Sequence, residues 1–370
     1  MATVVRVYVG TYTMPILFGT GKVLYGKGKG IHLYHMDLDT GRLVATGVVP
    51  NVDNPSYITI SPDSKTLFCV NELKNTDKRT GGRVSSFQID DGTLLFLGTE
   101  PTDGADPCHV TVDTEGKFLF TANFMSGSLS MHPIEADGTL GLMADFRQHE
   151  GSSLNPARQS GPHAHASSIS ADNRFVFVPD LGLDKVMVYE LDSANDRLID
   201  RPDLTVSTAP GAGPRHIVFH PGNRWAYLIN ELDSTIGAYS YDAASGQLTP
   251  LGVVSTLPSD FTGASTCAHI LMSPCGGFVY GSNRGHDSIA AFRVQEDGTL
   301  GFVGCFSTHG QSPRHFTIDP TGRYLVVANQ DSDQIVVFPR DQATGALLDE
   351  VMRVEAPTPV CVTICAGDLR

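Results

Sequence analysis

The chain has 370 residues, 40 acidic against 26 basic, for a formal net charge of −14, and it carries 38 glycines but a single tryptophan. An acidic chain with no basic patch and no interleaving of aromatic and basic residues excludes nucleic acid as an expected partner. No apolar run reaches spanning length, which excludes a helical membrane anchor.

The first predicted strand is VRVYVGTYT at 5–13, followed by an insertion, MPILFGTGKVLYGKGK, at 14–29. A second strand, within GIHLYHMDLDTG, comes next. From there the chain repeats. A Pro or small residue is followed by an apolar anchor, a turn and an apolar strand; the anchors are Ile60, Val112, Ile169, Phe219, Met272, Ile318 and Ile364. Between them fall hairpin turns closing in leucine: DTGRL, DDGTL, ADGTL, ANDRL, ASGQL, EDGTL and ATGAL, ending at Leu43, Leu94, Leu140, Leu198, Leu248, Leu300 and Leu347. The runs LFCV, FLFTAN, FVFV, AYLIN, FVYGSN and YLVVAN are β-branched and aromatic, bounded by Gly, Asp, Asn or Pro. The DG and TG pairs supply the positive φ of tight hairpins.

Seven strand-rich units of about fifty residues predict an all-β, seven-bladed β-propeller of four-stranded antiparallel blades, forming one domain over 1–370. The last opening signal, TPVCVTIC at 358–365, lacks a following strand. The N-terminal strand is expected to complete that blade and remove the open sheet edges. One tryptophan argues against a WD-type array. A second departure from the repeat, RQHEGSSLNPARQSGPH at 147–163, lengthens a loop.

The seven cysteines (69, 108, 267, 275, 305, 361 and 365) are odd in number and form no CxxC pair. That usage fits a reducing compartment. With a first strand beginning within a few residues and no basic-plus-apolar leader, the expected location is the cytoplasm. GKVLYGKG at 21–28 imitates a phosphate loop but has no Ser or Thr for magnesium and no helix after it. There is no GxSxG elbow. His163 and His165, two apart on an extended segment, could share a metal, yet no third ligand is evident; neither metal nor cofactor is expected.

Repeated positions become ring neighbours in a propeller. One polar level follows the Pro-like residue: Ser56-Tyr57, Cys108-His109, His165-Ala166, Arg215-His216, Ala268-His269, Arg314-His315 and Val360-Cys361. The four histidines of one phase, His109, His216, His269 and His315, read as fasteners between blades. Arg215, Arg314 and His165, in the adjacent phase, should point the other way. A second level lies eleven residues after each anchor: Asn71-Glu72, Asn123-Phe124, Asp180-Leu181, Asn230-Glu231, Asn283-Arg284 and Asn329-Gln330. Its Asn and Asp read as turn formers bonding their own backbone. The variable partners Glu72, Glu231 and Arg284 read as site residues. Arginines suit a carboxylate or phosphate, and His or Glu suits proton transfer near neutral pH.

The segments GPHAHASSISADNRFVFVPDLGLDKVMVY, GPRHIVFHPGNRWAYLINELDSTIGAY, SPCGGFVYGSNRGHDSIAAF and SPRHFTIDPTGRYLVVANQDSDQIVVF resemble the lactonase propeller family, which includes propeller 6-phosphogluconolactonases and 3-carboxy-cis,cis-muconate cyclase. The resemblance implies a lactone-handling site with His165 (or His163), Arg215, Glu231 and Arg284 as catalytic residues. His163, Glu72, Arg314 and Gln330 are the expected substrate-binding residues beside them. The expected substrate is a small anionic sugar-acid lactone, 6-phosphogluconolactone first, opened by water with Arg stabilisation of the carbonyl oxygen. Two rivals stand beside it: a muconate-type lactonizing cycloisomerase and a non-catalytic propeller used as a binding platform.

Overall fold

A computed structural model describes residues 3–75, 81–90 and 93–365. The described chain is all β apart from one short 3₁₀ turn, Pro202–Leu204. Its strands form seven four-stranded antiparallel blades, a seven-bladed β-propeller, with a separate two-stranded hairpin, Pro15–Leu17 and Val23–Tyr25. In blade three a short strand, Val206–Ser207, adds to the sheet beside the outer strand. No helix among the described residues is long and apolar enough to cross a membrane.

Each blade runs in chain order from its leading strand outward. Blade two, for example, is Pro107–Val112, Phe118–Asn123, Ser128–Pro133 and Asp145–Gln148. Blade seven differs: Pro359–Cys365 pairs with Val4–Thr11, which pairs with Gly30–Asp37 and then Leu43–Pro50. The N-terminal strand therefore closes the last blade, as the offset of the repeat implies.

The leucine-ending turns explain the register. Their third residue is left-handed in each described case: Gly41, Gly138, Gly246, Gly298 and Gly345 lie at φ 73–85°, and Asp196 takes the same role at φ 51°. Glycine adopts that region freely and Asp is among the few others that tolerate it. Asp91 and Gly92 of the DDGTL turn lie outside the described residues.

The chain divides into two compact units. One comprises Met1–Val9, His32–Gly47 and His216–Arg370; the other comprises Gly10–Ile31 and Val48–Arg215. In the first, blades four and five share a core of Tyr227, Ile229, Ile270, Val279 and Phe292, and blades six and seven share Val7, Val9, Val326, Val337 and Val362. In the second, Phe118, Phe120 and Leu129 of blade two pack on Val176, Val178 and Tyr189 of blade three. The central second strands are buried end to end, so they read as unbroken apolar runs rather than alternating ones.

Candidate active site

Two backbone devices set the polar levels. The first is a left-handed residue just before the proline that opens a blade: Asn54, Asp106, Gly213, Ser312 and Thr358 have φ of 38°, 51°, 67°, 58° and 46°. The carbonyls of Asn54, Asp106 and Ser312 each accept the N–H of the second-level residue of their own blade, Glu72, Phe124 and Gln330, at 2.9–3.1 Å. The second device is a β-bulge in the leading strand. In blade two Pro107 faces Asn123 and His109 faces Ala122, so the strand register skips over Cys108; in blade six it skips over Arg314 in the same way. Blade five carries its irregularity between Cys267 and Ile270. Strict strand alternation therefore does not decide where Cys108, Ala268-His269 and Arg314 point, because a bulge re-aims them.

The unit holding residues 48–215 contains Glu72, His163, His165 and Arg215. Glu72 is buried and accepts the Tyr12 hydroxyl at 2.9 Å. The His163 ring stacks on Phe124 at 4.5 Å and its Nδ1 lies 2.9 Å from the Phe124 carbonyl. His165 meets the same phenyl ring edge-on at 5.2 Å, with its Nδ1 3.6 Å from Cys108 Sγ. The two imidazoles thus share a phenyl ring. Among the described residues, no three His, Cys, Asp or Glu side chains gather as a metal site. Arg215 is 3 % exposed. Burial, and then the Arg215 charge, depress the pKa of His109 to about 3, so this imidazole stays neutral at working pH.

Asp180 and Asp184 hold the long loop in place. Asp180 bonds His149 Nδ1 at 2.6 Å with one oxygen and accepts the N–H groups of His163, Gly182 and Leu183 with the other. Asp184 accepts the Ser153 hydroxyl at 2.5 Å and the N–H groups of Gly211 and Gly213, two residues from Arg215.

Asp106 was not legible as a site residue. It is 4 % exposed, and its N–H bonds the carbonyl of Leu73, next to Glu72. Burial, reinforced by the Glu72 charge, raises its pKa to about 7. A buried carboxyl in a left-handed turn, holding its proton near neutrality, has the profile of a functional group. The available signal was its place before Pro107, a slot filled by Asn, Gly, Ser or Thr in other blades.

The other unit contains Glu231, Arg284, Arg314 and Gln330. Arg284 Nη2 pairs with Glu231 Oε2 at 2.9 Å and donates to the Cys267 carbonyl at 2.7 Å. The side chains are 17 % and 6 % exposed, so the pair is largely desolvated. The buried Gln330 donates to Asp331 Oδ1 at 2.7 Å, and Arg314 is half-buried. The ring histidines fasten blades. His315 accepts the N–H of Val362, as His109 accepts that of Ser167, and His216 and His269 share a ring-nitrogen contact of 3.0 Å.

Three of the second-level Asn residues correct an expectation. Asn123 and Asn230 bond Ser128 and Thr235 within their own hairpins, and Asp180 accepts N–H groups of its own turn, but Asn71, Asn283 and Asn329 reach back to preceding segments. Asn71 and Asn329 donate to the carbonyls of Asp53 and Thr308, and Asn283 donates to Thr256 O and Ser288 Oγ. Buried where they are, the Nδ2 donors of these amides are satisfied by tying the preceding segment to the blade.

The chain matches the family described as "Lactonase, 7-bladed beta-propeller" over residues 6–364. It is 37 % identical over 358 residues to the 6-phosphogluconolactonase of Bacillus subtilis, covering 96 % of this chain and 97 % of that one. Identity is 34 % over 328 residues to the 6-phosphogluconolactonase of Pectobacterium atrosepticum, with coverages of 88 % and 92 %. Among solved structures, the periplasmic gluconolactonase PpgL of Pseudomonas aeruginosa superposes with a TM-score of 0.88 at 34 % identity, over 98 % of this chain and 99 % of the other. The blades and these matches lead to one assignment: this chain belongs to the seven-bladed β-propeller lactonase family.

Proposed function

We propose that the chain hydrolyses a sugar-acid lactone, with 6-phosphogluconolactone as the leading substrate. The observation that carries this reading is the buried Arg284–Glu231 pair in a chain whose relatives are named lactonases. Opening a lactone places negative charge on the carbonyl oxygen. A guanidinium already fixed by a carboxylate and a backbone carbonyl stabilises that charge with little reorganisation. Arg284 has this role. Arg215, more deeply buried at 3 % exposure, is the second arginine assigned to the reaction. His165, whose Nδ1 faces the Cys108 thiol, and the carboxyls of Glu231 and Asp106 are the groups able to move a proton to or from water. Water is the co-substrate, and no cofactor is required. No feature of the site favours the cyclase direction or a purely binding role.

All seven cysteines carry free thiols, which suits a reducing compartment. We propose a cytoplasmic location, a reading these thiols support.

The test is acid release from freshly generated 6-phosphoglucono-δ-lactone, in EDTA, against spontaneous hydrolysis. Rapid release that falls by about 10²–10³ in Arg284→Ala and Arg215→Ala supports the assignment. Near-normal turnover in both variants refutes the residue roles, and no release above background removes the substrate.

A further inference from the structure

The two segments that interrupt the repeat meet. The hairpin Pro15–Leu17 and Val23–Tyr25 is rooted by Asn54 Oδ1, which accepts the N–H groups of Thr13 and Met14 at 2.8 and 2.9 Å, and by the Gly28 N–H bonded to Tyr12 O at 2.8 Å. Its turn is closed by Phe18 N–H to Lys22 O and Gly21 N–H to Phe18 O. The tip lies back over the protein. Phe18 packs edge-on against Tyr12, the residue that holds Glu72, with centroids 5.9 Å apart. Gly19 sits so close to blade two that a Cβ there would stand 3.4 Å from the Phe124 ring and 3.7 Å from Arg158 Nε.

Arg158 comes from the other interruption, on a turn with little freedom. Gln159 is fully buried; its Oε1 accepts the Asn155 N–H at 3.0 Å and its Nε2 donates to Leu181 O at 2.8 Å. Ser153, at the start of the turn, is tied to Asp184. The guanidinium is therefore presented at the hairpin tip, beside the phenyl ring that stacks on His163. The local charge is unusual for this protein. Residues 14–29 carry Lys22, Lys27 and Lys29 and no acid, in a chain of net charge −14.

We propose that Arg158, roofed by the 14–28 hairpin, binds the distal phosphate of the substrate and so sets a preference for phosphorylated over unphosphorylated sugar lactones. The inference rests on the lactonase reading and adds to it a residue that selects for the phosphate. A planar guanidinium on a rigid turn suits a phosphate dianion.

The experiment compares kcat/KM for 6-phosphoglucono-δ-lactone and for glucono-δ-lactone in wild type, Arg158→Ala and Arg158→Lys, with calorimetric binding of 6-phosphogluconate and gluconate as a second measurement. The expected result is a preference ratio that falls at least about tenfold in Arg158→Ala, mainly through KM, and is partly restored by Arg158→Lys. The same variant should lose the tighter binding of the phosphorylated product. A ratio that does not move, or a loss shared equally by both lactones, overturns the proposal. So does a wild-type enzyme that shows no preference for the phosphorylated lactone, which would leave the lactonase reading intact. Hydrolysis of neither lactone by wild type would sink that reading and this one with it. If Arg158→Ala melts at a lower temperature than wild type, Arg158→Lys and Arg158→Gln carry the comparison.

Discussion

Asp106→Asn should make the protein more stable, by an amount that grows as pH rises from about 4 and is complete above about 7. The Asp106 carboxyl holds its proton up to about 7 because burial, and secondarily the Glu72 charge, penalise the carboxylate; its ordinary value is 3.8. At about 1.36 kcal/mol per pKa unit, ionising it inside the fold costs about 4 kcal/mol. Between the two values the folded state keeps a proton that the unfolded chain has lost. Stability therefore falls as pH rises through this window and stays low above it. Asparagine keeps the shape, tolerates the left-handed backbone at φ 51° and carries no charge. Urea unfolding at about pH 8 should find the variant more stable by up to about 4 kcal/mol, whereas at about pH 4 the two proteins should agree within about 0.5 kcal/mol. A difference of the same size at both pH values, or a variant less stable at the higher one, refutes the reasoning. Glu72→Gln supplies a cross-check, because removing that charge should shrink the pH-dependent part.

Other expectations follow from single contacts. Arg284→Ala strands the Glu231 carboxylate and should cost about 3–5 kcal/mol, most of it recovered when Glu231→Gln is added, as read by urea unfolding. His109 should show no imidazole titration by NMR between about pH 8 and about pH 5, since its folded pKa is about 3. Being depressed, it contributes stability present above its unfolded value, near 6.5, that is lost as pH falls toward 3. Gly182→Ala would set a Cβ 1.9 Å from Gly161 O and 2.9 Å from His163 N. Both are backbone atoms, so the loop carrying His163 and His165 must shift, and lactone turnover should drop by about 10².

The blade count could be read from the chain because each blade repeats two local signals that need no long-range information: a left-handed hairpin residue and an apolar second strand. The second polar level was legible for the same reason. Glu72, Glu231 and Gln330 each follow a buried Asn that ends a regular strand, and Arg284 is itself the last residue of its strand, so counting locates all four positions. The first level was only half legible. Bulges at Cys108 and Arg314 break the alternation on which a facing argument depends. Asp106 escaped because its raised pKa comes from a desolvated neighbourhood built by residues more than thirty positions away. Arg158 escaped because its loop has no counterpart in the repeat, and its relation to the 14–28 hairpin is tertiary. The outward reach of Asn71, Asn283 and Asn329 was invisible for the same reason, since their partners belong to preceding segments.

The closure of blade seven also has a consequence in time. Val4–Thr11 pairs with Pro359–Cys365, so one edge of an early strand awaits a partner made about 350 residues later. At ribosomal speeds of about 5–20 residues per second, that edge waits about 20 to 70 s with its N–H and C=O groups unpaired on one side. Throughout that interval it can accept a strand from another nascent chain instead. Yield of this protein in a cell should therefore respond more to crowding of translating copies, and to chaperone supply, than to the stability of the finished ring.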